Sequence, residues 1–137
     1  MPNKLTQFMF DRIGVPNFSK YLDLTSFRHK LVSGNIANAS TPGFRSRNID
    51  FQDEFKKMTG ESNHVAGSVT HPDHIPVGGH KDAPPKVNKV KVAGDDINSV
   101  DIDREVATMA QNELLFTTSA RLLQKKFAGL KNAITSK

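Results

Sequence analysis

Apolar residues in the last third of the chain recur at strict four-three spacing. Ile102, Val106, Met109, Phe116, Ala120, Leu123, Phe127, Leu130 and Ile134 follow it, and Glu113 is the only polar occupant of the seam. A period of about 3.5 sustained over this length predicts a supercoiled helix across 100–137 whose seam faces one partner helix. Leu114, Leu115 and Leu122 lie beside the seam and widen the apolar surface enough to meet a further helix. Residues suited to an N-cap stand between Asn98 and Asp103, and no proline interrupts the chain beyond them.

A shorter stripe lies toward the other end. Leu24, Phe27 and Leu31 keep the four-three step, with Leu22, Val32 and Ile36 on the neighbouring face. They predict a helix over 17–40, starting near Asn17 after Pro16. Gly14 and Pro16 set apart a leading arm, 1–16, whose residues 5–13 would be helical only against something else. A partner-binding arm and simple disorder are equal readings of it.

The region 41–99 is a corner and a loop. Between Asp50 and Asp96 it holds Gly60, Gly67, Gly78, Gly79 and Gly94 with Pro72, Pro76, Pro84 and Pro85, which leaves no room for a long helix. The run KVNKVKV at 86–92 reads equally as an edge strand or an extended basic linker. A lone helical hairpin with such a loop exposes most of its apolar surface, so the pattern asks for neighbours.

Where the first helix meets the loop, the chain reads SGNIANASTPGF, 33–44. Asn35 and Asn38 fall in the last helical turn, where their amides can bond exposed carbonyls and where asparagine tolerates a left-handed cap. Pro42 and Gly43 occupy the central positions of a type II turn, with Gly43 supplying positive φ. Ala37 and Ala39 are small enough for another backbone to approach closely. The segment predicts a defined corner followed by an extended arm over 44–51.

Composition narrows the function. Only 36% of the 137 residues are apolar, and there is no cysteine, which excludes disulfide frameworks and thiol chemistry. The formal charge of +5 suits a nucleic-acid or anionic-surface binder. Its distribution argues otherwise. Asp95, Asp96, Asp101, Asp103 and Glu105 gather at the start of the last helix, and Arg121, Lys125, Lys126, Lys131 and Lys137 at its end, which complements a helix dipole. No apolar run of the N-terminal residues is long enough for a signal h-region or a membrane span.

Catalytic parts are missing from the sequence. His64, His71, His74 and His80 with Asp73 suggest a zinc or nickel site, yet Pro72 breaks the helical spacing that presents paired imidazoles, and polar turn residues are the better reading. Ser33, Ser40 and Thr41 have no acid-base companions, and Gly78-Gly79 forms neither a P-loop nor a dinucleotide fingerprint. Asn38-Ala39-Ser40 matches a glycosylation sequon without a secretory signal beside it. The expectation is a protein that is not an enzyme and holds no metal or cofactor.

Ser33, Asn35, Ile36, Ala37, Asn38, Thr41, Pro42, Gly43 and Phe44 together resemble the motif S-x-N-[IL]-A-N-x-x-T-x-G-[FY] of bacterial flagellar rod, hook and hook-associated proteins. The runs 47–51, 70–75, 100–105 and 111–131 are similar, more narrowly, to proximal rod members of that family. Gly34 departs from those members, which often carry asparagine or another helix former there. The resemblance implies a mainly α fold in which the N- and C-terminal helices pair as an antiparallel coiled coil. A long Pro/Gly-rich loop with room for short β segments would join them. It implies assembly into a hollow axial tube with other copies, with a FlgC-type rod protein and with a FliE-type adaptor. The flagellar type III export apparatus would deliver the chain without a cleaved signal peptide, and the rod would carry motor torque across the periplasm. Leu24, Phe27 and Leu31 would then pair with the seam of the last helix. The competing reading is a basic helical nucleic-acid-binding protein, which would bind with a steep salt dependence.

Overall fold

The computed structural model describes residues 4, 14–60, 84–90 and 99–135. The leading segment 5–13, the loop histidines His64, His71, His74 and His80 and much of the Pro/Gly-rich loop lie outside them. Five elements succeed one another in the chain: α1 (Val15–Ala37), β1 (Arg47–Asn48), α2 (Phe51–Thr59), β2 (Asn88–Lys89) and α3 (Ile102–Thr135).

Helix α1 begins two residues earlier than its sequence suggests, with Gly14 as N-cap at φ +77° and Pro16 inside the first turn. The start near Asn17 is corrected for a simple reason. First-turn N–H groups have no intrahelical partner, so proline forfeits nothing there and its fixed φ suits the helix. Gly14 turns the chain into the helix, and its carbonyl accepts the N–H groups of Asn17 and Phe18.

Helix α3 runs for 34 residues, about 51 Å at the usual rise. Asp101 opens it: Oδ1 accepts the Arg104 N–H at 3.1 Å, and the carbonyl accepts that of Glu105 at 2.9 Å. The two long helices are antiparallel. Asn35 reaches Glu105, Asn112 reaches Thr25, and the Lys126 ammonium lies 5.3 Å from the centre of the Phe18 ring.

Sequence reasoning missed α2, although its signals are present. Asp50 caps it by accepting the Asp53 N–H at 3.1 Å, and Gly60 at φ +81° ends it. The helix lies back on α1. Tyr21 meets Phe51 and Phe55 edge-on, with ring centres 5.1 and 5.5 Å apart, and the Lys20 ammonium donates to the Met58 carbonyl. Strands β1 and β2 pair antiparallel, Arg47 opposite Lys89 and Asn48 opposite Asn88, so part of the KVNKVKV run is an edge strand.

The core is small and mixed. Among the described residues Leu24, Val32 and Ile49 are its buried apolar side chains, and Thr25, Asn35, Ser46, Glu54 and Asn112 are buried with them. Each such apolar side chain contributes on the order of 1.5–3 kcal/mol. That is little set against the entropy of ordering a hairpin of this length.

Candidate assembly corner and hairpin seam

The corner is built from the last turn of α1 outward. The Gly34 carbonyl accepts both the Asn38 N–H at 3.3 Å and the Asn38 Nδ2 amide at 2.8 Å, so Asn38 closes the helix with backbone and side chain together. Its φ of −106° is not left-handed. The left-handed residue is Gly43, at φ +71°, inside a turn where the Phe44 N–H reaches the Thr41 carbonyl at 3.2 Å. Pro42 leads that turn, and Thr41 Oγ1 donates to Asn38 Oδ1 at 3.3 Å. Ser33 and Ile36 are half-buried, while Ala37, Thr41, Pro42 and Gly43 are exposed.

Asn35 has a different task from the cap its position suggests. Its side chain is 1% exposed. Oδ1 accepts the Arg47 N–H at 2.9 Å, while Nδ2 donates to the Arg47 carbonyl at 2.8 Å and to Glu105 Oε1 at 3.1 Å. The amide thus pairs with one residue of β1 as a neighbouring strand would, and ties both to the first turn of α3. Three hydrogen bonds from one amide hold three elements at one point.

Ser99 reinforces the same joint. Its hydroxyl accepts the buried Ser46 N–H at 2.7 Å, and the Ser99 N–H donates to the Phe44 carbonyl at 3.4 Å. The Val90 N–H donates to the Ser46 carbonyl at 3.0 Å, and the Arg47 guanidinium lies 5.7 Å from the Phe44 ring centre. The extended arm after the corner is therefore anchored against α1, β2 and the approach to α3. Ser46, Ser99 and Glu105 were not legible as corner residues, because each acts across a large gap in sequence.

The seam residues divide into two groups. Leu24 is buried, Phe27 and Leu31 are half-buried, and Met109, Ala120, Leu123 and Leu130 are half-buried on α3. Ile102, Val106, Phe116, Phe127 and Ile134 are exposed, Ile134 to 69%. The side of α3 turned to α1 is centred instead on Glu105, Asn112 and Ser119, about one residue's rotation from the apolar seam, or ~100° at most. Glu113 is exposed, and the polar residue inside is Asn112, 2% exposed, whose Nδ2 donates to the Thr25 carbonyl at 2.9 Å.

Electrostatics add one local feature. Lys57 lies 2.6 Å from Glu54, and this hydrogen bond holds its ammonium above the ordinary lysine value, assisted by the charge of Glu54 and opposed by partial desolvation. Among the described residues no group of three or more His, Cys, Asp or Glu could hold a metal ion, and no helix is long and apolar enough to cross a membrane. The arrangement holds helices at a set angle and presents apolar surface.

No protein-family model matches the chain. Individual relatives do. The flagellar basal body rod protein FlgB of Yersinia enterocolitica is 34% identical over 122 residues, covering 82% of this chain and 87% of that protein. FlgB of Escherichia coli strain K12 is 34% identical over 123 residues, covering 84% and 88%. FlgB of Cereibacter sphaeroides is 33% identical over 127 residues, covering 90% and 94%. Because the likeness runs over most of both chains and not over one short motif, the chain belongs to the FlgB family of flagellar basal body rod proteins.

Proposed function

We propose that the chain is a structural subunit of the flagellar basal-body rod that polymerises through its terminal helices into the proximal, torque-transmitting part of the rod. One observation carries this reading. The apolar side chains of Ile102, Val106 and Ile134 on α3 are exposed. An isolated chain leaves them in water, whereas a helical tube covers them. The relatives give no support to a nucleic-acid-binding protein.

In this reading α1 and α3 supercoil as an antiparallel coiled coil and stand side by side with the hairpins of other copies. The assembly contacts a FlgC-type rod protein above and a FliE-type adaptor below. Delivery is by the flagellar type III export apparatus, without a cleaved signal peptide, to a site in the periplasm. The corner residues set the angle at which the arm meets a neighbour, since Asn35 and Ser99 fix it against rotation about the end of α1. Torque passes through such a joint only if the joint is stiff.

The test is complementation of a cell lacking its own FlgB, with the chain located in purified basal bodies by electron microscopy. Recovery of motility with density in the axial tube at the rod base is the expected result. A chain that restores nothing, or sits outside the tube, overturns the reading. Circular dichroism of the purified chain checks a further expectation, that helix formation is coupled to docking. A fully helical, cooperatively melting monomer contradicts it.

A further inference from the structure

Along the side of α3 that meets α1, Glu105, Asn112, Ser119 and Lys126 stand at intervals of seven residues. All of them are polar. Three reach α1, each by different chemistry. Glu105 Oε1 accepts the Asn35 amide at 3.1 Å, Asn112 Nδ2 donates to the Thr25 carbonyl at 2.9 Å, and the Lys126 ammonium lies 5.3 Å from the centre of the Phe18 ring. The middle contact is the one sealed from water, since Asn112 and Thr25 are both buried. The Thr25 hydroxyl takes no part in it, because Oγ1 donates back to the Tyr21 and Leu22 carbonyls at 3.0 and 2.9 Å.

This contact is a poor source of stability. Asn112 Oδ1 is buried and has no hydrogen-bond donor, which costs about 1–3 kcal/mol. An apolar residue there would avoid that cost. A buried asparagine kept on those terms is explained by what it forbids, since a polar group between helices is satisfied in one alignment and stranded in the others.

The apolar residues forbid less. Ile102, Met109, Phe116, Leu123 and Leu130 also repeat at sevens, so a slip of one heptad, about 10.5 Å along the axis, replaces one apolar residue with the next. The polar series has a different group at every step. A slip in one direction sets the Glu105 carboxylate against the Thr25 carbonyl, two acceptors facing each other where water is excluded. In the other direction the Lys126 charge enters the half-buried place of Ser119, and the shorter Ser119 hydroxyl stands in for the asparagine.

We infer that Asn112 is the register-determining residue of the hairpin. Its single bond to Thr25, with the polar series around it, fixes how far α3 slides along α1, and it contributes alignment in place of stability. Alignment decides by how much one helix outreaches the other, and so the shape that any neighbour meets. The inference concerns one chain and does not depend on the rod role.

The chain has no cysteine, so spin labels can be placed through Lys30→Cys and Lys131→Cys, two exposed sites that a slip moves along the axis relative to one another. Trimethylamine N-oxide is added to the purified full-length chain until helix content by circular dichroism stops rising, so that the hairpin forms without a docking partner. The parent is expected to give a single distance between the labels. Asn112→Leu should keep its helix content and add a second distance about 10 Å from the first, in at least about a fifth of the molecules. Asn112→Ser combined with Ser119→Asn moves the amide one heptad along α3. It should shorten the main distance by about 10 Å, because the end of α3 that carries Lys131 is drawn toward Lys30. A residue that only stabilises produces no such shift. A parent without a single distance, an Asn112→Leu chain that keeps the parent's distance alone, or a transposed chain that does not move overturns the inference.

Discussion

Two asparagines are sealed inside the hairpin, one at each of two regions, and they are not in the same condition. At the corner, Asn35 satisfies both ends of its amide on Arg47 and Glu105. Halfway along the shaft, Asn112 satisfies one end on Thr25 and leaves the other without a donor. The corner is complete within one chain. The shaft is incomplete, with a half-used amide inside and exposed apolar residues beside it. A polar network that closes on itself specifies geometry, whereas one left partly unsatisfied carries a standing cost.

The sharpest test of that contrast is Asn35→Leu, which removes three hydrogen bonds and leaves the Arg47 N–H and the Glu105 carboxylate without their shared partner. A loss of about 3 kcal/mol in urea unfolding is expected. An equal loss from Asn112→Leu would erase the distinction. Ser99→Ala comes next, at about 1–1.5 kcal/mol, because the buried Ser46 N–H loses its acceptor. Asn112→Leu should change stability of the isolated chain by less than ~1 kcal/mol in either direction, since one bond is lost while one orphaned acceptor disappears.

Smaller effects sharpen the boundary between the regions. A methyl group built on Gly34 meets nothing within 4 Å, so Gly34→Ala should stabilise α1 by about 0.5–1 kcal/mol, visible as a higher thermal midpoint. The smallest effect concerns Lys57, whose pKa is raised by Glu54. Its contribution is complete below the ordinary lysine range and disappears as pH rises through the raised value. The stability difference between the parent and Glu54→Gln should therefore stay constant from neutral pH to the lysine range and then narrow.

What the sequence disclosed depended on how far apart the interacting residues lie. The turn at Pro42 and Gly43 was legible because both positions constrain their own backbone, and Gly43 takes the positive φ its place demands. The two long helices were legible from their periods. The phase of α3 was not, because its apolar residues cover more than one face, so spacing alone does not say which face meets α1. The role of Asn35 was hidden by a local alternative, since a polar residue in a last turn reads naturally as a cap. Its partners stand in β1 and at the start of α3, beyond the reach of any short window. Helix α2 carried a capping aspartate and a closing glycine, but with only nine residues it was absorbed into the surrounding loop signals.

The bonds made by Asn35 also differ in how far they reach along the chain. Its partner Arg47 is twelve positions away and Glu105 is seventy, so the two closures carry very different chain-entropy costs. The turn at Thr41 to Phe44 brings Arg47 back within a short loop, whereas Glu105 comes from a distant segment. The corner thus joins a local hook, closed over twelve positions, to a long-range latch, closed over seventy. That latch ties the corner to the C-terminal helix, so the angle of the arm depends on where α3 lies.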